Sequence, residues 1–481
     1  MNNTICEIVS SNRGQDKINV HGFIMCKNKN CNNSYYWHCE KRDALQCKGR
    51  AVTTFVEGQH RLKKFTDHNH AAEASRSNVI RIVNTLKERG KETNETPAQI
   101  IQTTSAIISH EAHPYLPSRD ALRQTINRIR SSDLPVEPES LDELIVPEDL
   151  KKTLSGSDFL VKDIVLDEDR ILLFTTIANV RYLEQSTFWI MDGTFKTVPN
   201  IFRQLYSIHG RVGRDENSQI MPLVYALMSR KSEECYRNLF QGLIDFGDEN
   251  GVLLRPQFIL TDFEQAAINA AHREFQGVQN KGCLFHLAQS IYRKVQASGL
   301  SVQYGTDENL SLKIRHIPAL AFLPPDVIPA AFDQLKDDIP PEANEIVEWF
   351  EECYVHGRTR RTLRHGNAIR TPPLFPPDFW SVVDNIDYAF PRTQNFVEAW
   401  HRRWGSLVGT AHLGVYKIIK ELQKEQNRVE LDVESILRGI PRPLQKKRDR
   451  VREARIRAVF NDRDNRPLMD FLRGMAHSIS F

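Results

Sequence analysis

Apolar positions along this chain fall into short unbroken runs in its middle third and into helical spacing elsewhere. Phe188-Trp-Ile-Met191 and Phe258-Ile-Leu-Thr261 are compact apolar runs that predict buried strands, and each delivers an aspartate, Asp192 or Asp262, where the strand runs out. Apolar segments at 188–195, 204–212 and 219–228 predict three strands, the first two separated by Pro199-Asn200. Two more are predicted at 257–261 and near 281–285, with amphipathic helices at 232–244 and 263–275. Three strands, helix, strand, helix, strand is a mixed α/β order. Residues 287–390 read as mainly helical and interrupted by prolines, with Val347–Tyr354 the clearest amphipathic stretch. The C-terminal part is helical and becomes basic. Upstream, Ile18–Met25, Ser34–Cys39 and Ala51–Val56 predict a compact β-rich module. Residues 77–130 predict helices, one opened by Thr96 as cap and Pro97 in the first turn. Ser118–Arg130 places Leu122, Ile126 and Ile129 on one face among arginines, the pattern of a helix-turn-helix reader or of a small helical spacer. No internal repeat is present.

Length and charge sharpen this picture. A chain of 481 residues with 26% charged and 40% hydrophobic residues can bury a large core and excludes wholesale disorder. The net charge of +3 hides an uneven distribution. Residues 1–80 carry 12 Lys/Arg against 7 Asp/Glu, residues 131–170 carry 4 against 12, and residues 438–457 carry 9 against 2. Basic modules at both ends suggest a polyanion partner, although any one of them reads equally as solvated surface. No apolar run is long enough to span a membrane, and the first residues lack a basic segment followed by an apolar one, so neither a membrane anchor nor secretion is expected. Lys446-Lys-Arg-Asp-Arg450 offers a nuclear import signal or a solvated helix turn.

Five of the 8 cysteines, Cys6, Cys26, Cys31, Cys39 and Cys47, lie in the N-terminal module, which points to metal binding rather than disulfides. Cys39, Cys47, His68 and His70 form a Cys-x7-Cys-x20-His-x-His set sufficient for one tetrahedral Zn²⁺. Such an ion would stabilise a segment too small to fold on its own core. A four-cysteine site using Cys26 and Cys31, or an unmetallated loop, are the alternatives. The surrounding Gly22-Phe23, Tyr36-Trp-His-Cys39, Cys47-Lys-Gly-Arg-Ala51 and Asp67-His-Asn-His70 resemble a FLYWCH-type zinc finger. That resemblance implies nucleic-acid or protein recognition, with Lys48, Arg50, Arg61, Lys63 and Lys64 as phosphate contacts.

The two strand-end aspartates have ordinary readings when taken singly. Asp262-Phe-Glu-Gln265 fits a helix-capping box, and Asp192-Gly193 fits a turn. Taken together, two strands of one sheet bring two carboxylates side by side, and hard oxygen ligands of that kind suit Mg²⁺ or Mn²⁺ in a phosphodiester displacement. Phe188–Lys196, Gln204–Val212, Pro222–Met228, Ile259–Ala267, Cys283-Leu-Phe-His286 and Asn395-Phe-Val-Glu-Ala-Trp-His401 resemble, in order and spacing, the transposases of Mutator-like elements. The resemblance implies a ribonuclease H-like catalytic core with a helical insertion, and Asp192, Asp262 and Glu398 as the metal-holding catalytic residues. Cys283 and His286 match the family's Cys-x2-His motif. They fit a buried structural pair, or a histidine aimed at a phosphate, better than a two-ligand metal site. Glu398 lies among Phe396, Val397, Trp400 and Trp404, with His401 on its face, whereas Glu421 and Glu425 read as solvated surface.

The domain reading is then a FLYWCH-type finger over 1–75, a helical DNA-binding segment over 76–135 and an acidic linker over 136–160. The first part of the core follows over 161–290, the helical insertion over 291–390, the final core helix with the third carboxylate over 391–415, and a basic helical tail over 416–481. The function implied is a nuclear, homo-oligomeric DNA transposase that cleaves and transfers strands with Mg²⁺ or Mn²⁺. Its rival is a domesticated, non-catalytic zinc-finger DNA-binding protein derived from one.

Overall fold

The computed structural model describes the chain except residues 1–3, 10–16, 94, 107, 109–111, 132–133, 215–216, 363–367, 410–412, 442–445 and 480–481. It is mixed α/β and divides into two units, Met1–Val136 and Glu137–Phe481. Residues 442–445 of the basic tail, and 132–133 of the acidic stretch, lie outside the described residues.

The first unit opens with a closed barrel of six strands, β1 (Ile5–Val9), β2 (Lys17–Val20), β3 (Phe23–Cys31), β4 (Ser34–Cys39), β5 (Arg50–Val56) and β6 (Gln59–Phe65), each antiparallel to the next, with β6 closing on β1. Closure removes both sheet edges, which a module this small would otherwise expose. Its core is slight: Cys6, Ile18, Val20, Met25, Trp37, Cys39, Cys47 and Ala51. The helices Arg76–Glu92, Pro97–Ser105 and Arg119–Ser131 follow and close around Leu86, Ile100, Ile101, Leu122 and Ile126. Thr96 caps the second of these in a reciprocal box with Gln99, with Pro97 at its first turn, as the sequence indicates. Arg130 donates to the carbonyls of Gly90, Thr93 and Glu95, so this arginine serves the end of the first helix rather than a ligand.

The second unit is built on seven strands: β7 (Leu160–Leu166), β8 (Asp169–Phe174), β9 (Phe188–Thr194), β10 (Gln204–Val212), β11 (Gln219–Met228), β12 (Phe258–Thr261) and β13 (Gln279–Gly282). They lie in the order β13-β12-β9-β10-β11-β8-β7. β12 runs parallel to β9 and to β13, and the other pairings are antiparallel. Alternation sorts the side chains of β9 and β12 onto two faces. Trp189, Met191 and Ile259 face one hydrophobic core. Phe188, Ile190, Phe258 and Leu260 face the other way and pack with Phe390 and with Val397 of the helix Asn395–Val408.

Three expectations change at this level. The acidic stretch read as a linker is packed: Leu144, Val146, Leu150 and Phe159 are buried, and Gln423 donates to the carbonyls of Asp149 and Lys152. The basic tail is likewise no free tail. Ile456, Phe460, Phe471, Leu472 and Met475 share one core with the helical insertion, and the long helix Val415–Leu437 lays Val429, Val433 and Ile436 against the sheet. Glu425, read as solvated, is buried at 3% exposure. It accepts from Trp400 Nε1 at 2.8 Å and from both terminal nitrogens of Arg403. Glu425→Leu should therefore cost about 3 kcal/mol, because Arg403 would keep its charge without a partner. Urea unfolding compared with the Glu425→Leu/Arg403→Met double variant checks this, since the double change should recover much of the loss.

Outside this sheet, β14 (Thr359–Thr362) and β15 (Ala368–Arg370) form a separate two-stranded ribbon within the insertion. Among the described residues no helix is long and apolar enough to cross a membrane.

Candidate metal centres

In the barrel, β4 ends at Cys39, the following turn delivers Cys47, and the chain beyond β6 brings back His68 and His70. Their ligand atoms all lie within 4.8 Å of one another. Cys39 Sγ is 3.2 Å from His70 Nε2, Cys47 Sγ is 3.3 Å from His68 Nδ1, and the two ring nitrogens are 3.4 Å apart. A tetrahedral zinc with bonds of about 2.3 Å to sulfur and about 2.0–2.1 Å to nitrogen demands separations of roughly this size. The surroundings fit as well. The backbone N–H groups of Lys41 and Gly49 point at the two sulfurs. His70 Nδ1 sits 3.0 Å from the Ala71 carbonyl, which fixes Nε2 as the ligand atom. Phe23 stacks on the His68 ring with centroids 3.8 Å apart. Gly49 is required here, because a Cβ would meet that ring at 2.5 Å.

Without an ion, burial pushes the Cys39 thiol up to about 11. At Cys47 burial is outweighed by the N–H groups of Asn69 and Gly49 and by the Cys39 thiol, which hold its thiol below the ordinary value. Cys26 and Cys31 stand outside this group. Met25 pairs with Cys39, so Cys26 points to the opposite face of β3, which disposes of the four-cysteine alternative. Of the expected phosphate contacts, Lys48, Arg50, Lys63 and Lys64 are exposed, whereas Arg61 lies 3.5 Å from Glu57.

The second constellation is carboxylate. β12 pairs with β9 in the register Phe258↔Phe188 to Leu260↔Ile190, and carrying that register on sets Asp262 level with Asp192. Both aspartates continue the alternation that turns Phe188, Ile190, Phe258 and Leu260 toward the helix Asn395–Val408. That helix carries Glu398 next to Val397, so the three acids converge on one face of the sheet from three elements. They interact. Asp192 is pushed up to about 7, by burial first, then by the charge of Asp262, with Glu398 adding to it. Burial also raises Asp262, and Lys231 opposes the shift. The three acids are less tightly drawn together than the zinc-type set, since only the finger residues and one further group among the described residues reach the 4.8 Å spacing. That further group, Asp333, Glu351 and His356, is already neutralised by Lys336 and Arg370 at 2.9–3.3 Å.

His401 lies one turn beyond Glu398, with Nδ1 3.6 Å from Asp192 Oδ2, and burial lowers it to about 4, so its ring is neutral. Burial likewise lowers His286, which feels the charge of Glu398. Cys283, held up to about 11 by burial, accepts from the Gln394 N–H at 3.3 Å. It ties the start of the helix Leu284–Ala297 to the start of the Glu398 helix. The expected strand at 281–285 ends earlier for the same reason: Cys283 caps that helix.

Gln394 and Lys231 carry weight that the sequence reading missed. Gln394 is fully buried, and its side-chain amide donates to the carbonyls of Met191 at 2.8 Å and Leu260 at 3.4 Å. It thus clasps β9 to β12 just before the two aspartates, while its own carbonyl accepts from the Glu398 N–H at 2.9 Å. Its position as cap of an amphipathic helix was the one available signal. Gln394→Leu should cost about 1–3 kcal/mol by stranding two buried carbonyls. Urea unfolding of the variant against the wild type would read that loss. Lys231 pairs with Glu264 at 2.5 Å and stands over the Phe195 ring.

Comparison with known families agrees with this division. A family model described as a MULE transposase domain matches residues 188–290, and one described as a FLYWCH zinc finger domain matches residues 8–70. The chain thus carries both. No curated protein matches it.

Proposed function

We propose that this chain, with a FLYWCH zinc finger ahead of a MULE transposase domain, is a DNA transposase of the Mutator-like type that cleaves and joins DNA strands with Mg²⁺ or Mn²⁺. The observation that carries the reading is the convergence of Asp192, Asp262 and Glu398 on one sheet face, where burial first and the charges of the other two acids after it hold Asp192 up to about 7. Buried carboxylates at that cost are characteristic of functional sites rather than of stable cores. Their surroundings favour a ligand, since His401 Nε2, on the Glu398 helix, is buried without a hydrogen-bond partner among the described residues. The antiparallel β11-β10-β9 followed by the parallel β12 and β13, with acids on β9 and after β12, supports a ribonuclease H-like core.

Asp192, Asp262 and Glu398 would hold the ions, which when bound lower the pKa of an attacking water or 3′-OH and offset charge on the leaving oxygen. Around them, Lys231 supplies positive charge toward both aspartates, and Gln394 fixes the spacing of their strands. The neutral His401 stands ready to accept a hydrogen bond from a ligand of the ions. The finger, through Lys48, Arg50, Lys63 and Lys64, and the exposed Lys446–Arg450 turn would hold DNA. That turn also fits a nuclear import signal, and two element ends brought together imply a homo-oligomer.

The test is strand cleavage by the purified full-length chain on duplexes carrying the genomic sequence that flanks its gene. Nicks with 3′-OH ends that need Mg²⁺ or Mn²⁺ and vanish in Asp262→Asn are expected. Tight binding with no cleavage in either metal would assign the chain to the non-catalytic DNA binders derived from transposases.

A further inference from the structure

The ribbon β14–β15 stands apart from both metal centres in sequence and in charge. The stretch Gly357–Arg370 contains five arginines and no carboxylate. Arg358, Arg360 and Arg361 are exposed, as are all four residues of β14. The ion pairs of this region belong to Asp333, Lys336, Glu351, His356 and Arg370, and Arg358, Arg360 and Arg361 make none among the described residues. Like charges packed along a narrow ribbon repel one another, and no ion pair of these three arginines offsets that cost among the described residues.

The ribbon's base is nevertheless held firmly. Arg370, although exposed, pairs with Glu351 at 2.9 Å and donates to the Gly357 carbonyl at 3.2 Å. The Thr371 N–H donates to the Arg358 carbonyl at 2.9 Å, joined by the Thr371 hydroxyl at 3.2 Å. Gly357 has a φ of +80°, and a Cβ there would collide with the Thr371 carbonyl, so the crossing of the two strands requires glycine. The pairing also slips within β14. Thr359 faces Arg370 and Arg361 faces Ile369, leaving Arg360 as an extra residue. A bulge of this kind twists the strand and re-aims its side chains. A clamped base, an added twist and unpaired arginines together make a positively charged ribbon presented to solvent.

We propose that the paired strands of this ribbon, through Arg358, Arg360 and Arg361, dock on the phosphate backbone of duplex DNA. A two-stranded ribbon has the width that the major groove admits, and arginine forks match phosphate geometry. The threonines Thr359 and Thr362 between the arginines add hydroxyl donors suited to phosphate oxygens. β14 offers no exposed apolar side chain of the sort that would anchor a lipid surface. The choice of DNA over other polyanions rests on the function proposed above.

The experiment is fluorescence anisotropy of the full-length chain on a labelled duplex of mixed sequence, over a KCl series without added divalent ions. Replacing the three arginines together by alanine should weaken binding roughly tenfold or more and flatten the slope of log affinity against log salt by about 2–3. The triple Lys variant should retain most of that slope, because neutralising phosphates needs only the charge. Zinc content and melting temperature should match the wild type in both. An unchanged salt slope in the alanine variant overturns the proposal, as does stronger arginine-dependent binding to phosphatidylserine vesicles or to polyglutamate than to the duplex. An arginine-dependent slope without any metal-dependent cleavage would sink the enzymatic reading and leave the ribbon standing. Cleavage with an unchanged slope would do the reverse.

Discussion

Asp192→Asn should abolish the proposed metal-dependent strand cleavage while making the magnesium-free protein more stable, not less. The two effects have one cause. Burial and the neighbouring Asp262 and Glu398 hold the Asp192 carboxyl at about 7, against an ordinary value of 3.8. An acid whose folded pKa is raised binds its proton more tightly when folded, so stability falls as pH rises from about 4 to about 7 and is then level. At pH 8 the charged carboxylate costs on the order of 4 kcal/mol, and the isosteric amide removes that cost. In protein dialysed free of magnesium, the variant should therefore melt several degrees above the wild type at pH 8, with a much smaller difference near pH 5. Adding Mg²⁺ at pH 8 should raise the wild-type melting temperature and leave the variant unmoved. A variant that melts below the wild type at pH 8 would mean that the three acids do not crowd one another. Retained cleavage would remove Asp192 from the site. Asp192 and Asp262 act as one unit in this reading, so the double Asn variant should be scarcely less active than either single one.

Loss of zinc should unfold the barrel and spare the second unit. The barrel's core cluster holds only eight of the described residues, two of them the cysteine ligands. Structural zinc contributes about 10–16 kcal/mol in finger peptides, more than so small a core can supply. Cys39→Ser should release the ion, expose Trp37, which is 2% accessible in the fold, and reduce DNA affinity. Hydrogen exchange would then show rapid labelling of β1–β6, with protection of β9–β12 unaltered. If zinc stoichiometry survives Cys39→Ser and is lost only in Cys26→Ser, Cys39 is no ligand and the ion sits on a different set of cysteines.

Much of the carboxylate face was legible because its strands are buried on both sides and so read as unbroken apolar runs. Phe188–Met191 and Phe258–Thr261 leave no doubt of element type, and parity then aims the aspartates. The finger was legible through its ligand spacing and Thr96 through its capping box. β7 was not, because Lys162 and Asp163 interrupt Leu160–Leu166 and no unbroken run announces that strand, whereas β8 does carry the apolar run Ile171–Phe174 and was overlooked. Glu425 and Gln394 escaped because a buried polar residue is indistinguishable from a surface one until its partners, Trp400 and Arg403 or the Met191 carbonyl, are in place. The acidic stretch before β7 misled in the opposite way. Its carboxylates suggest solvent, while the sparse apolar residues Leu144, Val146 and Leu150 do the packing.

The placement of Glu398 has a consequence for synthesis of the chain. Asp192 and Asp262 leave the ribosome on neighbouring strands, but their third partner follows only after the whole insertion, on a helix whose start is tied to Cys283 and to both strands through Gln394. Loop-closure entropy must be met before that distant contact forms, so docking of Glu398 belongs among the late events of folding. The C-terminal helices that complete the insertion's core come later still. A nascent or truncated chain therefore holds a pair of acids without the third. If the three acids cut DNA as proposed, that competence waits for the segment carrying Glu398, a safeguard that follows from chain order alone.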